Sequence, residues 1–271
     1  MTTGSVLAGE SFKPPGAEDF FLPDFTGANW HQHGYNVLLT KASAMLLLGA
    51  VLAFALLAAS AKRGQVVPSK FQYLGEMSYT FIRNGVARDI IGEKHYRRYV
   101  PLLVSLFFFI IINNLFGILP ILSFTPFSRA SFAYGMALLV WLIYNGVGIS
   151  VKGFGKYLKD TCVPPGLKWY ILWLLIPLEF LSNIVVRPVT LSLRLFANMF
   201  AGHLLLLLFS TGGAYLLIHA TGSIVVKPAG ALAYLLGIGI GFLEIVVAVL
   251  QAYVFTLLTA QYIAGAVSAE H

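Results

Sequence analysis

Charge is scarce in this chain. Only 11% of its 271 residues are Asp, Glu, Lys or Arg, while 58% are hydrophobic and the mean hydropathy is +0.80. Ordinary globular domains carry ~25% charged residues, so a soluble enzyme, a disordered tail and a coiled coil are all excluded. Cysteine is nearly absent too: Cys162 stands alone, which rules out an internal disulfide and a thiolate metal cluster. The sequence has no phosphate-cradling glycine loop and no nucleotide motif. Short alternating segments are missing, so a β-barrel is excluded, and continuous apolar runs take their place. The start of the chain is polar, holds Pro14-Pro15 and lacks a basic region followed by an apolar run, so no signal peptide is expected.

What is there is a set of membrane-length apolar stretches. A spanning helix needs ~20 mostly apolar residues. Residues 36–61, 99–122, 131–151 and 228–266 qualify, and 169–219 is about twice as long as required. The net charge of +7 is concentrated in loops, a distribution that speaks of topology and argues against nucleic acid. Loop 62–98 carries Lys62, Arg63, Lys70, Arg83, Arg88, Lys94, Arg97 and Arg98, and loop 152–168 carries Lys152, Lys156, Lys159 and Lys168. The turns near 123–130 and 220–227 have only Arg129 and Lys227. By the positive-inside rule the two basic loops face the cytoplasm and residues 1–35 lie outside.

Within the first basic loop, Ser69-Lys-Phe-Gln72 has the form of a capping box. Phe71, Leu74, Met77, Phe81 and Ile82 then fall on one side of a helix, opposite Gln72, Glu76 and Arg83, which predicts an interfacial amphipathic helix. Segment 169–219 would be ~75 Å long as one helix, against a ~30 Å hydrocarbon core. Two spans broken at Arg187-Pro188 and one strongly tilted helix are both compatible with its composition, since membrane helices tolerate proline.

An arginine inside such a stretch demands an account. Arg194 cannot give up its proton, and at membrane depth it costs ~2.5–3.5 kcal/mol on insertion scales. On a continuous helix Asn183, Arg187, Thr190, Arg194 and Asn198 share one face, with Glu179 at its margin. A polar stripe of this kind faces a partner, a cavity or water rather than lipid. His203 lies nine residues past Arg194, on roughly the opposite face. Glu244 is the one acid between residues 180 and 269, and Gln251 follows seven residues later on the same face. A short turn joins the two long segments, so they are neighbours and His203 is the expected partner of Glu244. Carboxyl and imidazole have reference pKa values of ~4.3 and ~6.5, so the pair can exchange protons near neutrality. Gly237 and Gly241 on the Glu244 face permit close backbone approach. Asn113-Asn114 reads as an interhelical hydrogen-bond clamp.

These residues resemble the a-subunit family of bacterial F-type ATP synthases, over most of the chain from about residue 37 onward. The resemblance is carried by Arg187-Pro-Val-Thr-Leu-Ser-Leu-Arg-Leu-Phe-Ala-Asn-Met-Phe-Ala-Gly-His203 and by Leu250-Gln-Ala-Tyr-Val-Phe255. Pro101-Leu-Leu-Val-Ser-Leu-Phe-Phe-Phe109 and Asn114-Leu-Phe-Gly117 add to it. It implies an all-α integral membrane protein with five transmembrane helices and a cytoplasmic-side amphipathic helix. The last two helices would form a long tilted hairpin against a ring of c subunits, with the C-terminus inside. It implies that Arg194 faces the ring carboxylate, that Asn198 and Gln251 line the proton path, and that His203 and Glu244 form a coupled pair. Thr190, Asn183, Glu179 and Arg187 are secondary candidates; where relatives carry an acid ahead of the helix proline, this sequence has Phe180 with Glu179 adjacent.

The implied function is that of a non-catalytic stator subunit in a bacterial plasma membrane. It would offer two offset proton half-channels separated by Arg194, with the c-ring, peripheral-stalk b subunits and lipid as partners. No cofactor is expected; the transported ion is H⁺. A secondary proton-coupled transporter is the alternative, but it would show an internal repeat, and none is evident. A haem protein would need paired intramembrane histidines, whereas His31, His33, His95 and His271 lie outside the spans, leaving His203 and His219. A structural adaptor leaves Arg194 and Glu244 together without a purpose.

Overall fold

The computed structural model describes residues 14–16, 41–61, 70–119, 124–163, 169–219 and 226–267. Every regular element among them is helical. Helix α1 is Lys41–Ala61. Helix α2, Lys70–Phe81, runs on through a π-helical segment Ile82–Arg88 and a last turn Asp89–Ile91. Helix α3 is Tyr96–Leu115, α4 is Ala130–Lys152 and α5 is Phe154–Cys162. Helix α6 comprises Trp169–Leu181, a π-helical segment Ser182–Val186 and Arg187–His219, and α7 is Val226–Val267. Five of these rods are long and apolar enough to cross a membrane: α1, α3, α4, α6 and α7. The 42 residues of α7 extend ~63 Å, so α7 overruns a ~30 Å core unless steeply inclined. Apart from residues 14–16, the expected segment 1–35 lies outside the described residues, as do the capping Ser69, the turn at 220–225 and the side chains of Phe71 and Leu74.

The core forms where α3, α4 and the second half of α7 meet around Leu103, Ile110, Val140, Phe255 and Ile263, with Leu191, Leu195 and Met199 of α6 against them. The four-residue spacing of these α6 positions gives one buried stripe. Helices α6 and α7 pack along each other as an antiparallel hairpin. Glycines let the two backbones approach closely: a Cβ on Gly213 would stand 2.9 Å from the Tyr234 nitrogen, and one on Gly230 3.0 Å from the Leu217 nitrogen. Gly237 belongs to the same seam, facing Phe209 and Ser210, whereas Gly241 makes only an ordinary contact with Leu206 at 3.9 Å.

Two local features depart from the sequence reading. The loop expected over 152–168 contains α5, whose Tyr157 ring lies against Gly148 of α4 and whose hydroxyl donates to Asn145 Oδ1 at 3.0 Å. The lysines of this stretch disguise an amphipathic turn pattern in which Tyr157 and Cys162 face inward. In α2 the expected apolar side divides: Met77 and Phe81 are exposed, whereas Ile82 is fully buried. Gln72, expected on the polar side, is buried, with its amide donating to Glu76 Oε1 at 2.7 Å, and Gly75 faces Ser60 of α1. On a regular helix Ile82 already lies about 140° from Met77, at the far edge of the expected apolar arc, and it is this edge that turns inward.

Candidate functional site

Pro188 shapes the site through what it lacks. In the π segment the Arg187 N–H donates to Ser182 O, a spacing of five residues. The same spacing would have Pro188 donate to Asn183 O, and proline has no N–H. Two side chains of α4 supply the missing donors: Trp141 Nε1 at 3.3 Å and the Tyr144 hydroxyl at 3.0 Å. Asn183 is buried, and its amide donates to Glu179 O at 3.0 Å and to Thr161 O at 3.4 Å. The helix therefore continues past the proline, but with its phase shifted.

That shift takes Asn183 off the expected single stripe. The reading assumed an unbroken 3.6-residue period, and the extra residue of the π turn directs Asn183 toward α4 and α5 instead. The polar positions beyond it divide between the outer face and α7. Arg187 is half-buried with its guanidinium 5.4 Å from the Tyr262 ring centroid, and Thr190 is exposed with its hydroxyl donating to Val186 O at 2.8 Å. Glu179 is half-buried beside α5, where burial first and the Glu179 charge second push the Cys162 thiol up.

Arg194 is exposed on the outer face of α6. Among the described residues the ion pairs are Arg88–Glu93 and Lys152–Asp160, and none of the described carboxylates pairs with Arg194. Tyr262 is the phenol near enough to feel its charge. One turn further along, the Asn198 amide donates to Gln251 Oε1 at 2.8 Å, tying α6 to α7 beside the guanidinium. Gln251 is 1% exposed, and its Nε2 has no protein partner.

His203 is buried on the side of α6 away from Arg194. Glu244 is also buried, and its Oε1 lies 3.0 Å from the place a Cβ on Gly202 would occupy. The carboxyl of α7 thus rests against the residue preceding His203, with its Oε2 unmatched by any protein donor. Glycine at 202 leaves room for it. Glu244, Ala248 and Gln251 form one buried edge of α7, and Asn114 of α3 donates to Ala248 O at 3.5 Å. Asn114 makes the interhelical contact expected of the asparagine pair, whereas Asn113 donates to Phe109 O in its own helix and packs against Gly49 of α1. Buried Asn114, Glu244 and Gln251 therefore lead to half-buried Asn198, beside an exposed cation.

Tyr262, Trp141 and Tyr144 are the residues that sequence reasoning passed over. Tyr262 lies eleven residues beyond Gln251, a spacing that returns to the same helix face and was there to be read. The roles of Trp141 and Tyr144 depend on a π turn that no local pattern announces.

A greasy helical hairpin with an exposed cation at Arg194, backed by a buried acid, histidine and amide, has the features of a membrane ion-conducting subunit. The chain belongs to the ATP synthase A chain family, whose model matches residues 42–264. It is 50% identical over 267 residues to ATP synthase subunit a of Nocardioides sp., covering 97% of this chain and 96% of that one. Identity to ATP synthase subunit a of Paenarthrobacter aurescens is 43% over 261 residues, covering 96% and 95% of the two chains. For the Streptomyces lividans subunit it is 35% over 266 residues, covering 98% and 92%. The chain is thus a non-catalytic membrane subunit, the proton-conducting stator part of a two-sector ATPase.

Proposed function

We propose that Arg194 separates two offset aqueous half-channels and faces, in turn, the carboxylates of a rotating c-ring. The observation that carries this reading is the exposure of a permanent cation on an apolar helix, unpaired with any acid among the described residues. Left against lipid it would bear the intramembrane cost in full; opposite a ring carboxylate it is compensated. Supporting it is the buried polar run behind the guanidinium, from Asn114 and Glu244 with His203 to the Asn198–Gln251 pair.

A proton entering from outside passes Glu244 and His203, then Gln251, and neutralises a ring carboxylate. Once neutral, that carboxyl can enter lipid; charged, it cannot. After nearly a full turn it reaches the inner half-channel, where Arg194 draws it to ionise. Thr190, with its exposed hydroxyl, helps to wet that exit, and Arg187 lies beside it over Tyr262. Because a guanidinium carries no transferable proton at these pH values, it blocks direct leakage between the channels. Each proton yields ~2.3 kcal/mol per 100 mV, so many crossings accompany each turn. The assembly sits in a bacterial plasma membrane with residues 1–35 outside and the C-terminus in the cytoplasm, the orientation favoured by the basic loops.

The test is Arg194→Ala in the assembled synthase, with ATP-driven proton pumping measured in inverted vesicles. Pumping is expected to vanish, with passive leak through the sector. Arg194→Lys is expected to fail as well, because lysine can deprotonate and lacks the rigid fork. Undiminished pumping in Arg194→Ala would overturn the proposal.

A further inference from the structure

At the foot of α3, well away from Arg194, two arginines line one recess, and among the described residues neither is paired with an acid. Tyr96, the first residue of α3, is buried, and its hydroxyl accepts from Arg97 Nε at 3.5 Å. Arg83, on the π segment after α2, lines the same recess as Tyr96 and Arg97. Their neighbour Arg88 has its own acid, Glu93. Among the described residues neither Arg83 nor Arg97 has one. Two like charges lining one recess repel each other, and the arrangement is relieved when an anion enters between them.

The space for one is present. Tyr79, Arg83, Tyr96, Arg97 and Val100 line an open recess of about 380 Å³ whose walls are mostly polar. Paired guanidinium forks suit the oxygens of a phosphate, and the flanking phenols add hydroxyl donors. The position in the bilayer indicates which phosphate. Tyr96 begins a helix of membrane length, so the recess opens at the boundary between hydrocarbon and water. Tyr73, Met77, Tyr79 and Phe81 of α2 are exposed at the same boundary, where amphipathic aromatic side chains gather at headgroup level. Basic pockets beside membrane helices at this depth attract anionic lipids. We propose that Arg83 and Arg97, with Tyr79 and Tyr96, form a binding site for the phosphate of an anionic phospholipid headgroup.

The experiment uses the intact synthase in mixed micelles and measures the fraction of spin-labelled phosphatidylglycerol that is motionally restricted, relative to spin-labelled phosphatidylcholine. The native enzyme is expected to favour phosphatidylglycerol. Each of Arg83→Gln and Arg97→Gln is expected to weaken that component about fivefold, while Lys94→Gln, outside the recess, leaves it unchanged. Arg83→Lys with Arg97→Lys is expected to restore most of the preference. Should Arg83→Gln fail to assemble, the exposed Arg97→Gln carries the measurement alone. An unchanged preference in Arg97→Gln, or an equal loss in Lys94→Gln, would overturn the proposal. So would complete displacement of the labelled lipid by millimolar inorganic phosphate at constant ionic strength, since the site would then be one for free phosphate.

Discussion

Helix α7 is one rod with two surroundings. Over 226–250 it presents Leu235, Phe242, Leu243, Val246 and Leu250 outward, each more than half exposed, and packs mainly along its α6 edge until α3 meets it at Ala248. Over 251–267 it lies within the core, with Gln251, Ala252, Phe255, Thr256, Thr259, Ala260 and Ile263 all buried. The second half forms the anchor, where small residues and threonines bonded back to their own helix at 2.8 Å let α3 and α4 close in. The first half stands out as a blade whose free faces await lipid or another subunit. Gln251 lies at the join, and Glu244 two turns before it, so the polar path follows the line where anchor gives way to blade. Polar groups there gain rigidity from one side and access from the other.

Phenylalanine substitutions test that contrast most severely. Phe255→Ala removes a fully buried ring and is expected to cost ~3–5 kcal/mol, read as lost yield and thermal stability of the detergent-purified subunit. Phe242→Ala, on the blade, is expected to stay within ~0.5 kcal/mol by the same measure. Equal losses would erase the distinction between the halves. Next comes the seam that holds the blade to α6: Gly213→Val forces a side chain onto the backbone of α7 and is expected to cost ~1–3 kcal/mol. Crosslinks between cysteines introduced at 209 and 237 would then form more slowly, while those joining α7 to α3 would be unaffected.

Smaller still is the expected effect of Glu244→Gln. It should slow proton flux less than Arg194→Ala does, since the amide keeps the contact with Gly202 and the other polar groups remain; equal impairment would contradict that order. The smallest effect belongs outside the hairpin. The Arg88 hydrogen bond, and then its charge, hold the exposed Glu93 carboxyl below the usual carboxylate range. A depressed carboxyl contributes stability above its unfolded value, and this is lost as pH falls through the folded one. At about pH 7 that contribution is fully present, but solvent screens so exposed a pair, so Glu93→Gln should lower the melting temperature only slightly there and not at all below the folded value.

The spans were legible because uninterrupted apolar length has one meaning, and the meeting of Glu244 with α6 followed from the short turn between the long helices. Arg194 was legible because a fixed charge in a greasy stretch has few explanations. What escaped depended on phase. Five polar residues were assigned one face on the premise of a constant period, and a π turn directed Asn183 elsewhere. Ile82 was grouped with Met77 although a regular helix sets the two about 140° apart, and it turns inward. Helix α5 escaped because its lysines resemble a solvated linker unless Tyr157 is seen to meet Gly148. Trp141 and Tyr144 bond a backbone carbonyl, and a carbonyl has no letter in the sequence.

The extra residue in 182–186 also works as an angular setting. Deleting one position there, so that the coil tightens to a regular α-helix, would turn everything beyond it by about 100°. The charge at 194 would swing away from the perimeter while the clasp of Trp141 and Tyr144 stayed behind. Where the motor's fixed cation points is thus decided two turns upstream, by one surplus amino acid and a proline that cannot donate.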